Sequence, residues 1–245
     1  EAGLRTGNIY SPWPEEGNRK LTGALTQFHF APTDTSKANL LKENVASENI
    51  FVTGNTVIDA LLLVKQQIEC DAPLSNTLAA QFPMLDETKK LILVTGHRRE
   101  SFGGGFERIC EALAQTAKAH PDTQILYPVH LNPNVQEPVK RILKNVDNVH
   151  LIEPQQYLPF VYLMNRSHMI LTDSGGIQEE ACILKIPCVT LRDNTERPET
   201  LEVGSNTLCT TDFKNLGFHV EEMLNKPTNW KNPFGNGTPN DTRTS

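Results

Sequence analysis

Short apolar, β-branched runs alternate along this chain with segments whose apolar positions recur at helical spacing. The run Leu91-Ile92-Leu93-Val94-Thr95 reads as a strand, and Phe106, Ile109, Cys110, Leu113 and Ala117 behind it form one helical stripe. The same alternation predicts strands at 124–129, 149–152, 169–172, 188–191 and 207–210, and helices at 135–143, 158–165, 177–184 and 220–224. Continuous apolar strands separated by helices indicate a parallel sheet covered on both faces, a Rossmann-like α/β domain over 90–225. Upstream the texture repeats with fewer units: strands at 28–31 and 50–53, helices at 15–25, 35–45 and 57–68. Asp34, Thr35 and Ser36 are cap candidates for the second of these helices.

Two strands do not make a stable parallel sheet alone, so residues 1–70 read as the remainder of a first Rossmann-like domain that begins upstream. Residue 1 is Glu rather than Met, in keeping with a missing or removed start. Apolar positions such as Val57, Ile58, Leu61 and Leu62 are expected to be left exposed in this remainder. Residues 71–89, with Pro73, Pro83 and many polar positions, read as a linker, and 226–245 as an irregular tail, disordered over Asn229–Ser245.

The charge balance narrows the function. Twenty-three basic against twenty-nine acidic residues leave a net charge of −6, a poor match to a general nucleic-acid binder. Any phosphate must therefore be held by a local constellation. The five cysteines have no CxxC or metal-ligand spacing and read as reduced thiols of a cytoplasmic protein. No apolar run approaches the length of a membrane span.

Four stretches can carry chemistry. In Thr172-Asp173-Ser174-Gly175-Gly176-Ile177-Gln178-Glu179-Glu180 a strand ends, two glycines allow close backbone approach, and a helix begins. The free N–H groups and positive dipole end of that helix suit a diphosphate, and Glu180 can accept from ribose hydroxyls; an ordinary capped turn is the plain alternative. In Thr95-Gly96-His97-Arg98-Arg99-Glu100-Ser101 a histidine stands among arginines, with Gly103, Gly104 and Gly105 beyond, at another strand end. There His97 can stabilise or protonate a departing phosphate oxygen. In Ser11-Pro12-Trp13-Pro14-Glu15-Glu16, Pro14 can start a helix; Glu16 suits a solvated cap, while Glu15 and Glu1 are candidates for an acid–base pair. Arg197, in Arg192-Asp193-Asn194-Thr195-Glu196-Arg197, suits a phosphate or a loop-holding ion pair equally.

These stretches, with Glu1-Ala2-Gly3-Leu4-Arg5-Thr6-Gly7 and Tyr127-Pro128-Val129-His130-Leu131-Asn132-Pro133-Asn134, closely resemble the non-hydrolysing UDP-N-acetylglucosamine 2-epimerases of bacterial type, from Glu1 to about Asp212. The resemblance implies a GT-B-like pair of Rossmann-type domains, the first incomplete here. It further implies reversible epimerisation at C2 between UDP-N-acetylglucosamine and UDP-N-acetylmannosamine, by UDP elimination and re-addition through a 2-acetamidoglucal, without metal or NAD. Glu1, Glu15 and His97 match the family's catalytic positions. Gln155, Phe160 (by its backbone), Ser174, Gly175, Gly176, Glu180 and Arg197 match its nucleotide contacts, and Arg98 and His130 line its second, activating site. A cytoplasmic homodimer supplying precursors of cell-surface polysaccharide, with no nucleic-acid or membrane partner, is the corresponding expectation. Two departures stand out: the family's first half-domain, with its early basic loop and an Asp that joins the glutamates, is absent, and Thr238-Pro239-Asn240-Asp241-Thr242 replaces a basic continuation. The 245 residues by themselves are therefore expected to epimerise little. A GT-B glycosyltransferase using a UDP-sugar, a hydrolysing epimerase and a non-catalytic UDP-binding fragment are the alternatives.

Overall fold

The computed structural model describes residues 1–96, 104–210 and 214–234. The larger sheet is built from β3 (Lys90–Thr95), β4 (Thr123–Pro128), β5 (Val149–Ile152), β6 (Met169–Thr172), β7 (Cys188–Thr190) and β8 (Asn206–Leu208), preceded in the chain by β1 (His29–Ala31) and β2 (Ile50–Val52). Its spatial order is β5-β4-β3-β6-β7-β8, every neighbouring pair parallel. The order reverses between β3 and β6, so the chain leaves the sheet there in opposite directions and opens a crevice at the strands' carboxyl ends.

The two faces follow from the period-2 alternation of the strands. Ile92, Val94, Ile125 and Tyr127 face a layer formed by α5 (Gly104–Ala119), α6 (Pro133–Leu143) and α10 (Leu216–Leu224), through Phe106, Leu113, Val139 and Val220. Leu91, Leu93, Leu126 and Ile170 face the other layer. It contains α7 (Tyr157–Arg166) and α8 (Gly175–Leu184), and also α3 (Thr56–Cys70) and α4 (Ala72–Ala79), which contribute Leu61, Ile68 and Leu78, with Phe82 just beyond α4. Leu61 is 0% exposed.

That packing corrects two expectations. Leu61 is buried because α3 lies on the larger sheet, and Ile58 because it packs against Cys182, Trp230 and Phe234; Val57 alone of the four is exposed. The stretch 71–89 carries α4, started by Asp71, whose carboxylate accepts from the Leu74 N–H at 2.9 Å. The tail differs as well. Residues 226–234 are irregular but not loose: Trp230 and Phe234 pack with Ile58 of α3 and Cys182 of α8, and the Trp230 indole donates to the Cys182 carbonyl at 3.0 Å. Residues 235–245 lie outside the described set.

The smaller sheet pairs β1 with β2 in parallel, joined by α2 (Asp34–Lys42) and a 3₁₀ turn at Ser47–Asn49. Thr33, one residue ahead of the expected caps, accepts from the Ser36 N–H and starts α2. Ala31, Leu40 and Ile50 form a small core on one face. Phe30 and Phe51 stack at 5.7 Å on the other and stay largely exposed. Before this sheet, α1 (Glu15–Leu25) begins immediately after Pro14. The architecture is α/β with parallel sheets throughout.

Candidate active site

The glycine-rich stretch falls on the crevice. Thr95 and Thr172, the last residues of β3 and β6, are register partners joined by a hydroxyl–hydroxyl hydrogen bond of 2.6 Å. The Ser174 N–H donates to the Thr172 hydroxyl at 3.0 Å, which turns the chain out of β6 and into α8. Ser174 occupies the N-cap position with extended backbone, and its side chain makes no capping hydrogen bond among the described residues. A Cβ on Gly176 would meet nothing within 4 Å, so this helix start opens onto free space. Uncapped N–H groups at a helix N-terminus bordering an open crevice suit an anion.

Gly175 is closed off instead: a Cβ there would lie 2.1 Å from Arg197 Nη1 and 2.6 Å from Glu196 Oε1. Arg197, 3% exposed, is thus wedged against the helix start. Its Nε donates to Glu179 at 2.7 Å, its Nη1 pairs with Glu196, and its Nη2 lies 3.5 Å from Glu1. The ion pairs open to Arg197 are thus formed, and they are formed beside the open start of α8. Burial alone would lower the basicity of Arg197, but Glu179, Glu196 and Glu1 raise it above its usual value. Burial likewise pushes Glu196 upward, and Arg197 and Arg192 outweigh it, holding that carboxyl below the usual range.

Glu180 sits one turn into α8 and is nearly buried. Desolvation and the adjacent Glu179 charge push its pKa up to about 7, partly opposed by a hydrogen bond from Tyr157 at the start of α7. Gln155 precedes that helix and donates to the Glu153 carbonyl at 2.7 Å. Phe160, in the first turn of α7, packs against the core and gives its backbone N–H to Gln156 at 3.0 Å.

The candidate carboxylates come from the smaller region. Glu1 and Glu15 line one cavity of about 530 Å³, together with Arg5, Arg19 and His29. Arg19 binds Glu1 Oε2 through Nε at 3.1 Å and Nη2 at 3.0 Å. Partial burial raises the Glu1 pKa; Arg19, and then Arg197, outweigh it and hold this carboxyl below its usual range, ionised at neutral pH. Glu16 is corrected: it is fully buried and accepts from the Thr6 and Gly7 N–H groups at 3.1 and 3.2 Å, so it fixes the loop after Glu1 instead of capping a helix in solvent.

His130 lies exposed between β4 and α6, its Nδ1 accepting from the Asn132 N–H at 3.1 Å. His97 and Arg98 lie outside the described residues. Among the described residues no group of three or more His, Cys, Asp or Glu is placed to hold a metal ion. Glu179, Glu196 and Arg192 are buried members of the site that sequence reasoning passed over. The available signal was two adjacent acids on one helix, which cannot both face the same ligand.

A parallel α/β sheet with an open helix start at its switch point, flanked by an arginine and a buried carboxyl, defines a Rossmann-like α/β protein whose crevice suits an anionic ligand. Comparison with known proteins makes this specific: a family model described as UDP-N-acetylglucosamine 2-epimerase matches residues 1–242, and the chain belongs to that family. It is 58% identical over 243 residues to the UDP-N-acetylglucosamine 2-epimerase of Escherichia coli K12, covering 97% of this chain and 65% of that protein. The crystal structure of the Neisseria meningitidis UDP-GlcNAc 2-epimerase bound to UDP-GlcNAc superposes with a TM-score of 0.92 at 48% identity, over 98% of this chain and 66% of that one. The Methanocaldococcus jannaschii enzyme, in complex with UDP-GlcNAc and UDP, gives a TM-score of 0.84 at 42% identity, over 98% of this chain and 65% of that one. The chain thus spans about two thirds of the length of these relatives, and within that span the expected GT-B-like α/β class stands.

Proposed function

We propose that a complete protein carrying this sequence interconverts UDP-N-acetylglucosamine and UDP-N-acetylmannosamine. One observation carries the reading: Glu1 and Glu15 line a single cavity, and Glu1 is tied by Arg197 to the helix start at Gly175. The diphosphate sits at residues 174–176 beside Arg197 and the ribose hydroxyls donate to Glu180, with uracil near Gln155 and the Phe160 backbone. The cavity then receives the sugar.

An ionised carboxylate takes the C2 proton, and the C2–H electrons become the C1–C2 double bond. The C1–O bond breaks with its electron pair, which leaves on the β-phosphate oxygen of UDP. His97, two positions beyond β3 in the chain, protonates or stabilises that oxygen. A second carboxyl returns a proton to the opposite face of C2 while UDP re-attacks C1. Glu1, held ionised by Arg19 and Arg197, suits the base role; Glu15 takes the other face. Arg98 and His130 are assigned to a second, activating substrate site. In the same reading the enzyme needs no added cofactor, nucleic acid or membrane. It works as a cytoplasmic homodimer when complete and serves the synthesis of cell-surface polysaccharide precursors.

Turnover in D₂O should place deuterium at C2 of both recovered nucleotide sugars. Replacing Glu15 by Gln should cut the rate by about 10²–10⁴-fold with little change in UDP affinity. Recovery of both sugars without label overturns the proton-abstraction route.

A further inference from the structure

Each nitrogen of the Arg197 guanidinium meets a different carboxylate: Nε meets Glu179, Nη1 meets Glu196 and Nη2 meets Glu1. Two of these carboxylates are shared with other cations, Glu196 with Arg192 at 3.1 Å and Glu1 with Arg19 at 3.0 Å. The result is a chain of three acids and three guanidinium groups running from the loop after β7 to the cavity beside α1. Glu179 differs from the other two acids. It is 0% exposed, and among the described residues it meets no second cation. Its other oxygen accepts instead from the Asn55 side chain, whose Oδ1 is itself occupied by the Val57 N–H at the start of α3. Glu179 is therefore held at its backbone by α8 and at its far oxygen by the cap of α3, and it offers its remaining oxygen to Arg197 alone.

We propose that Glu179 is a positioning residue of the nucleotide site, fixing the Arg197 guanidinium at the start of α8 so that one arginine serves the diphosphate and Glu1 together. The geometry leaves little alternative for Arg197. A guanidinium is a planar fork with donors in fixed directions, and anchoring Nε sets the plane in which Nη1 and Nη2 point. With Nε released, the side chain could turn about its stem, and Nη2 would leave Glu1. Charge by itself argues the other way: a carboxylate buried beneath an anion site repels the anion, so neutralising Glu179 should tighten nucleotide binding if position were irrelevant. The two effects differ in sign, which makes the idea decidable. It rests on the reading that Arg197 serves the nucleotide.

The experiment is calorimetric titration of UDP into the chain and into Glu179→Gln, Arg197→Lys and the double variant, with thermal unfolding recorded for each. Glu179→Gln should weaken UDP by roughly tenfold or more, the scale of a lost charge-assisted hydrogen bond. In the Arg197→Lys background the same change should have less than about a twofold effect, since its target is gone. Asn55→Ser, which keeps the helix cap but shortens the donor to Glu179, should weaken UDP to a smaller degree and covers the case in which Glu179→Gln fails to fold. Unchanged or tighter binding in folded Glu179→Gln, or effects that add in the double variant, overturns the proposal. If Arg197→Lys itself leaves UDP affinity unaltered, the nucleotide reading of Arg197 fails. If it weakens binding while Glu179→Gln and Asn55→Ser do not, the positioning role alone falls.

Discussion

The six-stranded sheet buries both of its faces, whereas the two-stranded sheet buries one and shows phenylalanines on the other. Both obey the same local rules: parallel strands, helices between them and apolar residues at alternating positions. They differ in what surrounds them. Around β3 the side chains above and below the sheet each find a helical layer, and two of the covering helices, α3 and α4, come from upstream of the sheet they cover. Around β1 and β2 one face has α2, and Phe30 on the other is 60% exposed. Local pattern makes strands and helices; closure depends on which segments reach them. The candidate site residues divide along the same line, with the start of α8 and Glu180 in the closed region and Glu1 and Glu15 in the open one.

The comparison can be broken most sharply at α3. Leu61→Ala should cost about 2–5 kcal/mol, because the methyl groups it removes lie in the core of the larger sheet. Phe30→Ala should stay within about 0.5 kcal/mol. Equal shifts in the urea midpoints would mean that α3 does not belong to the closed region.

The pH dependence sharpens the same contrast from within the closed region. Folding lifts the Glu180 carboxyl from the usual 4.5 to about 7, so between those values the folded chain holds a proton that the unfolded chain has lost. Stability from this group is intact below pH 4.5 and declines as the pH rises through 7. Glu180→Gln removes the decline and should gain up to about 3 kcal/mol relative to the parent between pH 5 and pH 8. Urea unfolding at the two values checks it, and a constant difference would show that the carboxyl is not held protonated. A smaller effect lies at the start of α8, beside the arginine that reaches Glu1 of the open region. Gly175→Ala pushes a methyl into the Arg197 guanidinium and should cost about 1–3 kcal/mol in thermal unfolding, while Gly176→Ala, which faces open space, should cost far less.

Strand and helix positions were legible in the sequence because burial on two faces writes itself as apolar runs and stripes, as in Leu91-Ile92-Leu93-Val94. The strand-to-helix junction at the glycine pair was legible because a strand end and two glycines are local signals. Arg197 was not decidable, since besides the adjacent Glu196 its partners are eighteen residues away at Glu179 and at the other end of the chain at Glu1. The burial of Ile58 and Leu61 was misjudged for a related reason: a helical stripe reveals that a face needs cover without naming what supplies it. The ordering of Trp230 was hidden by the polar composition around it, where one indole among prolines and asparagines gives no periodic signal.

That indole has an optical consequence. The chain has two tryptophans. Trp13 stands 62% exposed in the loop before α1, and Trp230 is 7% exposed between α3 and α8, with the Lys185 ammonium 5.7 Å from its ring. One chromophore therefore sits in water on the open region and the other in an apolar seam of the closed one. Their emission should differ in colour and in access to a soluble quencher, so the two halves of the molecule carry separate lamps by which their unfolding can be watched apart.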